Sequence, residues 1–474
     1  MSEGLKYTIL LLLCIGSRAA TSINYIEDID SLRFALSAIE FDVTKQQPHF
    51  PAYPFFCYLL NFLNDFIKNI GICFSIIGGF SIFLICFYIS KIAESITSTN
   101  KKWLLFIIIF SHPFLWLMSN RYMPDILGLA IVIAATFYLI KAIKKQDPKT
   151  IIILSFLLGI ECGVRLSYLP FFIPIFYLLK INKSTLPKLI IGFSAGLSIW
   201  LIPFILENNI DELITIGLRN TKGHFFEWGG TVNSNSDPYF IRAAGFFRSI
   251  WADTLNCWYP GRSPITILTS FIWIYMIYIF FKSRYYKSAT LIKIKPLITC
   301  LFFYSIWIFF FQNIVYKPRH IIPLIPFILL FIFIFYQKRP NNLISKTAVC
   351  LVLVLNTITC FKLVDDHLSP SAISQSKDWV KNNCSKNWVF CSNGLRNFYY
   401  KKQISPNELE FVNVDDKLKL IKEFTLGKNI CTDLNLDKTF QRKPIFKKVF
   451  YHNPNVNRLW SEVTIRTYQL NNEK

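Results

Sequence analysis

Apolar stretches long enough to cross a membrane alternate with short polar loops over the first three quarters of the chain. A helix of roughly 20 apolar residues spans the hydrocarbon core of a bilayer, which is about 30 Å thick. The pattern predicts about eleven transmembrane helices. They cover approximately residues 7–23, 71–91, 103–119, 124–141, 150–163, 167–181, 189–207, 263–281, 297–312, 320–336 and 347–363.

Lysine and arginine are distributed unevenly over the loops between these stretches. Alternate loops contain Lys91, Lys101, Lys102, Lys141, Lys144, Lys145, Lys149, Lys180, Lys183, Lys188, Lys282, Arg284, Lys287, Lys293, Lys295, Lys338, Arg339 and Lys346. The short loops on the other side contain only Arg121, Arg165, Lys317 and Arg319. Because basic loops stay in the cytoplasm, we predict a cytoplasmic N-terminus and three outer segments: 24–70, 208–262 and the chain after about residue 364.

The first span has an alternative interpretation as a cleaved signal peptide. Its apolar core is short, and Ser17–Thr21 is rich in small residues. Arg18 disfavours cleavage at that point. The outer placement of the following loop is the same under either interpretation.

The residues after 364 have a different pattern. The long apolar stretches stop, and Asn, Lys and Asp become common. Trp388–Cys391 and Ile430–Asp433 are typical of short strands, while Ser374–Asn382 and Asp415–Glu423 are typical of helices. We therefore predict a transmembrane domain over 1–364 and a small α/β domain outside the cytoplasm over 365–474.

Composition excludes several other classes of protein. Hydrophobic residues make up 53% of the chain, charged residues only 17%, and the mean hydropathy is +0.38. A soluble multidomain protein or a disordered chain would carry more charge. The net charge of +22 does not indicate nucleic-acid binding, because much of it lies in short loops that set membrane orientation. The twelve cysteines lack the spacing of a zinc site or a disulfide framework.

The first outer loop carries the most distinctive acidic residues. Glu27, Asp28 and Asp30 directly follow the first span, and Ser31–Phe41 has the pattern of an amphipathic helix in the membrane interface. Acidic residues here either serve the protein's chemistry or cap the helix and face water. The same two interpretations apply to Asp125, which follows Pro124 at the start of a predicted span.

Several cationic and aromatic residues also lie on the predicted outer side or at membrane depth. Glu161 and Arg165 are four residues apart and either neutralise each other or leave Arg165 facing a buried anion. Three basic residues lie on the outer side, where the loops otherwise contain few: Lys317, Arg319 and His320. They would bind an anionic ligand or anchor the chain at the membrane interface. Trp228 and Trp258 suit contact with a sugar, although tryptophan is also common at membrane interfaces.

These features together resemble the GT-C superfamily of integral-membrane glycosyltransferases, in particular bacterial proteins related to protein O-mannosyltransferases and the aminoarabinose transferase. Members often read "DS..FAL...FD....QPHPPGYP" in the first outer loop. The matching residues here are Asp30–Ser31, Phe34–Ala35–Leu36, Phe41–Asp42 and Gln47–Pro48–His49, while Phe50 and Ala52 depart from the usual Pro and Gly. The segments GVRLSYLP, EWGGTV, WYPGRS and KPRHIIPLIP are also similar, so the resemblance covers roughly residues 7–340.

The resemblance implies a sugar donor linked to polyprenyl phosphate and transfer to an acceptor hydroxyl with inversion. By position Asp30 matches the general base, with Asp28 and Glu27 as alternatives. Arg319, Lys317 and Arg165 would hold the donor phosphate. Asp125 and His49 would serve the acceptor or act as a second acid, and Trp228 and Trp258 would contact the sugar. No cofactor is expected; a divalent metal is possible but not favoured.

Two other classes of function remain open. A transporter or flippase of a lipid-linked or anionic substrate would use charged residues inside the membrane, such as Glu161 and Arg165. A scaffold would recruit a partner through the outer domain, and the acidic loop would then be dispensable. The acceptor is a lipid, a polysaccharide or a protein. The composition, rich in Ile, Lys, Asn and Phe, suits an AT-rich bacterial genome and hence a multi-pass protein of a bacterial plasma membrane, while a protein of the endoplasmic reticulum stays open.

Overall fold

The computed structural model describes residues 2–97, 102–234, 238–282, 290–315, 317–337, 343–385, 387–405 and 408–469. Of the predicted cytoplasmic residues, Lys101, Arg284, Lys287, Lys338 and Arg339 lie outside these ranges. The helices are α1 (Glu3–Ala20), α2 (Ile29–Ser37), α3 (Pro54–Ile67), α4 (Ile70–Thr97), α5 (Lys102–Phe110), α6 (Pro113–Asn120), α7 (Asp125–Lys145), α8 (Pro148–Arg165), α9 (Phe176–Ile181), α10 (Leu186–Glu207), α11 (Ile210–Lys222), α12 (Tyr239–Arg248), α13 (Ile265–Lys282), α14 (Thr290–Phe311), α15 (Ile325–Gln337), α16 (Leu343–Leu368), α17 (Ala372–Asn383), α18 (Gly394–Gln403), α19 (Lys417–Thr425) and α20 (Asp437–Phe440). The strands are β1 (Trp388–Ser392), β2 (Glu410–Asn413), β3 (Asn429–Thr432), β4 (Phe446–Tyr451) and β5 (Glu462–Tyr468).

Six helical segments in the described ranges are long and apolar enough to cross a membrane. They are Ile70–Thr97, Asp125–Lys145, Pro148–Ile181, Lys183–Glu207, Ile294–Phe311 and Lys346–Asn383. The predicted span 103–119 forms two helices bent by 60°, because Pro113 lacks an amide hydrogen and His112 is extended. The structure confirms an α-helical polytopic membrane protein, while the number of eleven spans stays a prediction.

The chain divides into two compact units. The first consists of Met1–Ile23 and Leu36–Val364, and the second of Asn24–Ala35 and Asp365–Lys474. The second unit thus includes a short piece of the first outer loop as well as the C-terminal region.

In the first unit, the chain reverses its direction within the run Pro148–Ile181. Gly192 of α10 lies against Ser155 of α8, and Gly196 lies against Gly159. Further along, the Trp200 indole N–H donates to the carbonyl oxygen of Gly159, and the Trp200 ring covers Gly163. The residue numbers of the contacting positions rise in the same direction along both helices, so α8 and α10 run parallel. The backbone leaves helical geometry at Arg165, the last residue of α8, where φ is −150° and ψ is 75°, and the chain returns through the 3₁₀ segment Leu166–Ile175 and α9. Two separate spans at 150–163 and 167–181 stay a prediction, because this run is one apolar segment in the structure.

Small residues allow α8 and α10 to approach closely. A Cβ atom on Gly196 would lie 2.1 Å from the carbonyl oxygen of Phe156, and one on Gly192 would lie 2.4 Å from that of Ile152. Transmembrane helices use such glycines because close backbone packing replaces the hydrophobic effect inside lipid.

Gly196→Ala is expected to lower the free energy of unfolding by about 1–3 kcal/mol, because the new methyl group meets rigid backbone. Thermal unfolding in detergent micelles measures the change. Gly16→Ala is the matched control, since a Cβ on that helical glycine would have nothing within 4 Å. Equal melting temperatures for the two variants would contradict the close packing.

The second unit contains a five-stranded mixed sheet in the order β2-β1-β3-β5-β4. Strands β1, β2 and β3 are parallel, while β5 pairs antiparallel with both β3 and β4. The core contains Val389, Val412, Ile430 and Tyr468 from the strands, with Leu420 and Phe424 from α19. The predicted strands at 388–391 and 430–433, and the helices at 374–382 and 415–423, are confirmed to within a few residues.

Candidate functional site

A buried ion pair lies at the N-terminal end of α7 in the first unit. Helices α7 and α8 are joined by a short turn, so the start of α7 lies beside the end of α8. Asp125 has no exposed surface, and its carboxylate lies 3.0 Å from Nη2 of Arg165. Two residues that were predicted to have separate roles are therefore direct partners.

Tyr53 connects this ion pair to the first outer loop. Its hydroxyl accepts a hydrogen bond from Nη1 of Arg165 at 3.2 Å, and it lies 3.4 Å from Nε2 of His49. The Arg165 guanidinium lies 5.7 Å from the ring centroids of both Tyr53 and Tyr168, within cation–π range. The sequence analysis did not select Tyr53, although its place in the HxPxYP element was visible.

The loop reaches this position through an unusual backbone. Ala52 and Tyr53 both have left-handed conformations, with φ of 67° and 51°, and Pro54 then begins α3. Proline suits the first turn of a helix because no partner is available there for an amide hydrogen. The turn directs Tyr53 into the cluster and leaves His49 beside it.

Glu161 lies in the same cluster but does not pair with Arg165. A Cβ on Gly128 of α7 would lie 3.0 Å from Oε1 of Glu161 and 2.8 Å from Cβ of Arg165, so α7 approaches both side chains. The carboxylate is fully buried, and within the described ranges neither of its oxygens has a hydrogen-bond partner. The i,i+4 spacing of Glu161 and Arg165 therefore does not produce an ion pair between them; Arg165 pairs with Asp125 instead.

Arg319 approaches the same end of α7 from the segment Pro318–Leu324. Its side chain is 8% exposed, and Nη1 lies 3.1 Å from the sulfur of Met123, two residues before Asp125. The Tyr304 hydroxyl donates to the carbonyl oxygen of His320 at 2.9 Å and fixes this turn. The predicted cations Arg165 and Arg319 thus both lie at the N-terminal end of α7.

His224 adds an imidazole near the predicted cation Lys317. Its Nε2–H donates to the carbonyl oxygen of Phe311 at 3.0 Å. Burial lowers the pKa of His224, and the charges of Lys317 and Arg165 act in the same direction. The ring is therefore neutral at physiological pH.

The two predicted sugar-contacting tryptophans lie in the second outer segment and expose much of their surface. Trp228 is 60% exposed, and its ring lies over Gly223, one residue before His224. Trp258 is 43% exposed, and its backbone N–H donates to the Ser270 hydroxyl at 2.8 Å. The Trp228 ring thus packs on Gly223, whereas Trp258 is bonded through its backbone amide, and contact of either ring with a sugar stays a prediction.

The predicted catalytic acids belong to the second unit and have distinct environments. Oε1 of Glu27 lies 3.1 Å from Nε2 of His367. Oδ1 of Asp28 accepts from the amide of Ser31 at 2.8 Å, and so caps the start of α2. Asp30 lies in the first turn of α2, 5% exposed, with Oδ1 3.9 Å from Nη1 of Arg33.

In the parts of the chain that the structure describes, no three His, Cys, Asp or Glu side chains are grouped as a metal site requires. A reaction that needs no cofactor stays a prediction.

Comparison with known proteins supports the fold. No family model matches the sequence, and no curated protein matches it. Among solved structures, two crystal structures of ArnT from Cupriavidus metallidurans, a GT-C aminoarabinose transferase, are similar, one bound to undecaprenyl phosphate and one in the apo state. The structure bound to undecaprenyl phosphate shares 8% sequence identity and the apo structure 10%; each has a TM-score of 0.55 and covers 98% of both chains. The similarity confirms the predicted fold, because this chain shares the architecture of ArnT over 98% of its length.

Proposed function

We propose that this protein is a glycosyltransferase that moves a sugar from a polyprenyl-phosphate donor to an acceptor hydroxyl on the extracytoplasmic side. One observation carries the proposal: two buried arginines, Arg165 and Arg319, lie at the same end of α7 in a chain with the fold of ArnT. Buried cations of this kind suit a phosphate group. The similar ArnT structure contains undecaprenyl phosphate.

The proposed reaction is a single displacement. The acceptor oxygen attacks the anomeric carbon, its proton passes to the Asp30 carboxylate, and the bond from the anomeric carbon to the phosphate oxygen breaks. The configuration inverts, and polyprenyl phosphate leaves with the electron pair. A positioned base adds about 10²–10⁴-fold to such a rate. No strong acid is needed, because the leaving group is already an anionic phosphate.

The cations differ in how they would act on the phosphate. The Arg165 guanidinium is engaged by Asp125 and Tyr53, so part of its charge is already balanced. Arg319 is buried beside the same end of α7 and contacts the sulfur of Met123. We assign the main phosphate contact to Arg319, because its planar guanidinium can donate two parallel hydrogen bonds to a phosphate, with Lys317 assisting and Arg165 fixing the shape of the site.

Arg319→Gln is expected to lower kcat by about 10²-fold, because a positioned donor to developing charge is lost. Arg319→Lys retains the charge but not the planar pair of donors, so its loss should be smaller. Transfer assays on purified protein, with melting temperature as a folding check, measure both effects.

The control for this pair of variants is Arg442→Gln, which removes an exposed arginine of the second unit. If Arg319→Gln folds normally and transfers sugar at the rate of the control, Arg319 has no role at the phosphate.

The test of the function is transfer of label from radiolabelled polyprenyl-phosphate sugars to a membrane extract of the source organism. Detection of the label in an acceptor molecule supports the proposal. A transporter is the second candidate, because the carboxylate of Glu161 is buried in a span without a hydrogen-bond partner in the described chain. Movement of a lipid-linked sugar across the membrane of liposomes, with the sugar–phosphate bond intact, would favour the transporter and overturn the glycosyltransferase.

A further inference from the structure

The acidic segment of the first outer loop is built into the C-terminal α/β unit. The side chains and carbonyl groups of Tyr25–Glu27 bond to residues more than 300 positions later in the chain. This anchoring begins directly before the capping residue Asp28 and the helix that carries Asp30.

Two hydroxyl groups hold the carbonyl oxygen of Ile26. Ser371, the capping residue of α17, donates at 2.9 Å, and Tyr399 of α18 donates at 3.0 Å. A carbonyl oxygen has two lone pairs, so these two bonds saturate it. Tyr399 has no exposed surface, and a buried hydroxyl in one rotamer gives a well-defined anchor.

The next residue is held at both its backbone and its side chain. Nδ2 of Asn457 donates to the carbonyl oxygen of Glu27 at 2.8 Å, while His367 lies 3.1 Å from the Glu27 carboxylate. Glu27, His367 and Asn457 are all buried. The Tyr25 hydroxyl also donates to the carbonyl oxygen of His367 at 2.6 Å.

The residues that hold the segment are themselves fixed to the sheet. Nε2 of His452, directly after β4, lies 3.1 Å from the carbonyl oxygen of Asp366 and 3.2 Å from that of Ser369. Nδ2 of Asn453 donates to the Asp366 carboxylate at 2.6 Å. The chain beside His367 and Ser371 is therefore bonded to the end of β4.

We infer that the C-terminal unit is the positioning device for the catalytic acid: Ser371, Tyr399, Asn457 and His367 fix residues 25–27 and thereby aim α2 and Asp30. The inference rests on the proposed function, and it assigns a role to the C-terminal unit. These four are positioning residues, since they act through the backbone of the segment and not on the substrate. Binding of the donor phosphate does not depend on them.

The test removes the two hydroxyl groups from the carbonyl of Ile26. A shift of about 1 Å in a catalytic group can cost about 10²-fold, so Ser371→Ala/Tyr399→Phe is expected to lower kcat by about 10- to 100-fold. KM for the polyprenyl-phosphate sugar should change less than about threefold, because these residues position the acid and do not bind the donor. Amide hydrogen exchange of α2 should also become faster.

The matched control is Tyr400→Phe in the same helix. Tyr400 is equally buried, but its hydroxyl bonds to the Ser376 hydroxyl at 2.7 Å, away from the segment. It should leave both kcat and exchange of α2 within twofold of wild type. If the control and the test variant lose the same activity, the effect is general destabilisation and the inference fails.

A second comparison separates positioning from loss of folded protein. In an Asp30→Asn background the hydroxyl deletions should have no further effect on the residual rate, because the group that they aim is already inactive. An equal additional loss in that background would overturn the inference. If wild type transfers no sugar with any donor, the proposed function fails instead, and hydrogen exchange of α2 still decides whether Ser371 and Tyr399 fix the segment.

Discussion

Asp30→Asn is expected to lower kcat for sugar transfer at least a hundredfold, while the protein folds normally. The change removes the proposed general base, a group that contributes about 10²–10⁴-fold to such a rate, and it keeps the size of the side chain. Asp30 is buried in the first turn of α2, where a negative charge also stabilises the helix. A small loss of melting temperature should therefore accompany the large loss of activity.

The two neighbouring acids provide controls of different kinds. Asp28→Asn retains a good capping residue, so α2 and the reaction rate should be nearly unchanged. Glu27→Gln keeps an oxygen near His367 but removes its charge, so it should lower stability and kcat moderately, since the three hydrogen bonds to the carbonyl groups of residues 26 and 27 remain. If folded Asp30→Asn transfers label at the wild-type rate, the base assignment fails and Asp28 or Glu27 becomes the candidate.

The second large effect concerns the buried ion pair of Asp125 and Arg165. Arg165→Met should lower the free energy of unfolding by about 3–5 kcal/mol, because it leaves a buried carboxylate without its partner. Asp125→Leu should cost a similar amount for the converse reason. The double variant Asp125→Leu/Arg165→Met should cost far less than the sum, since replacing both charges by apolar groups is often nearly neutral.

Reversible unfolding in mixed micelles, analysed as a double-mutant cycle, measures this coupling. Lys68→Met is the control, because Lys68 forms an exposed ion pair with Asp65 and such pairs contribute little. Additive losses in the double variant would show that Asp125 and Arg165 do not stabilise each other.

The sequence predicted much of the fold because the bilayer and the sheet both leave a local pattern. Apolar runs indicated the spans, and short alternating runs indicated β1 and β3. The sequence did not reveal the bend between α5 and α6, because Pro113 lies inside a long and mostly apolar run. Average hydropathy does not show where a helix is interrupted.

The site was less accessible from the sequence because it depends on which helices become neighbours. The spacing of Glu161 and Arg165 indicated a pair on one helix, whereas packing of α7 on α8 gave Arg165 a different partner, Asp125. Nothing local to residues 24–35 indicated that they belong with the C-terminal unit. Contacts across 340 positions, such as that of Glu27 with His367, leave no periodic signal.

That long separation also sets the order of events during synthesis. The acidic segment leaves the ribosome early, but its partners are translated 340 or more positions later. At about 5–20 residues per second, the segment waits roughly 20–90 s before both His367 and Asn457 exist. A nascent or prematurely terminated chain can insert its helices yet leaves the segment without its anchors. If the proposed function holds, a chain that ends before Asn457 lacks contacts that position Asp30, so sugar transfer requires complete translation.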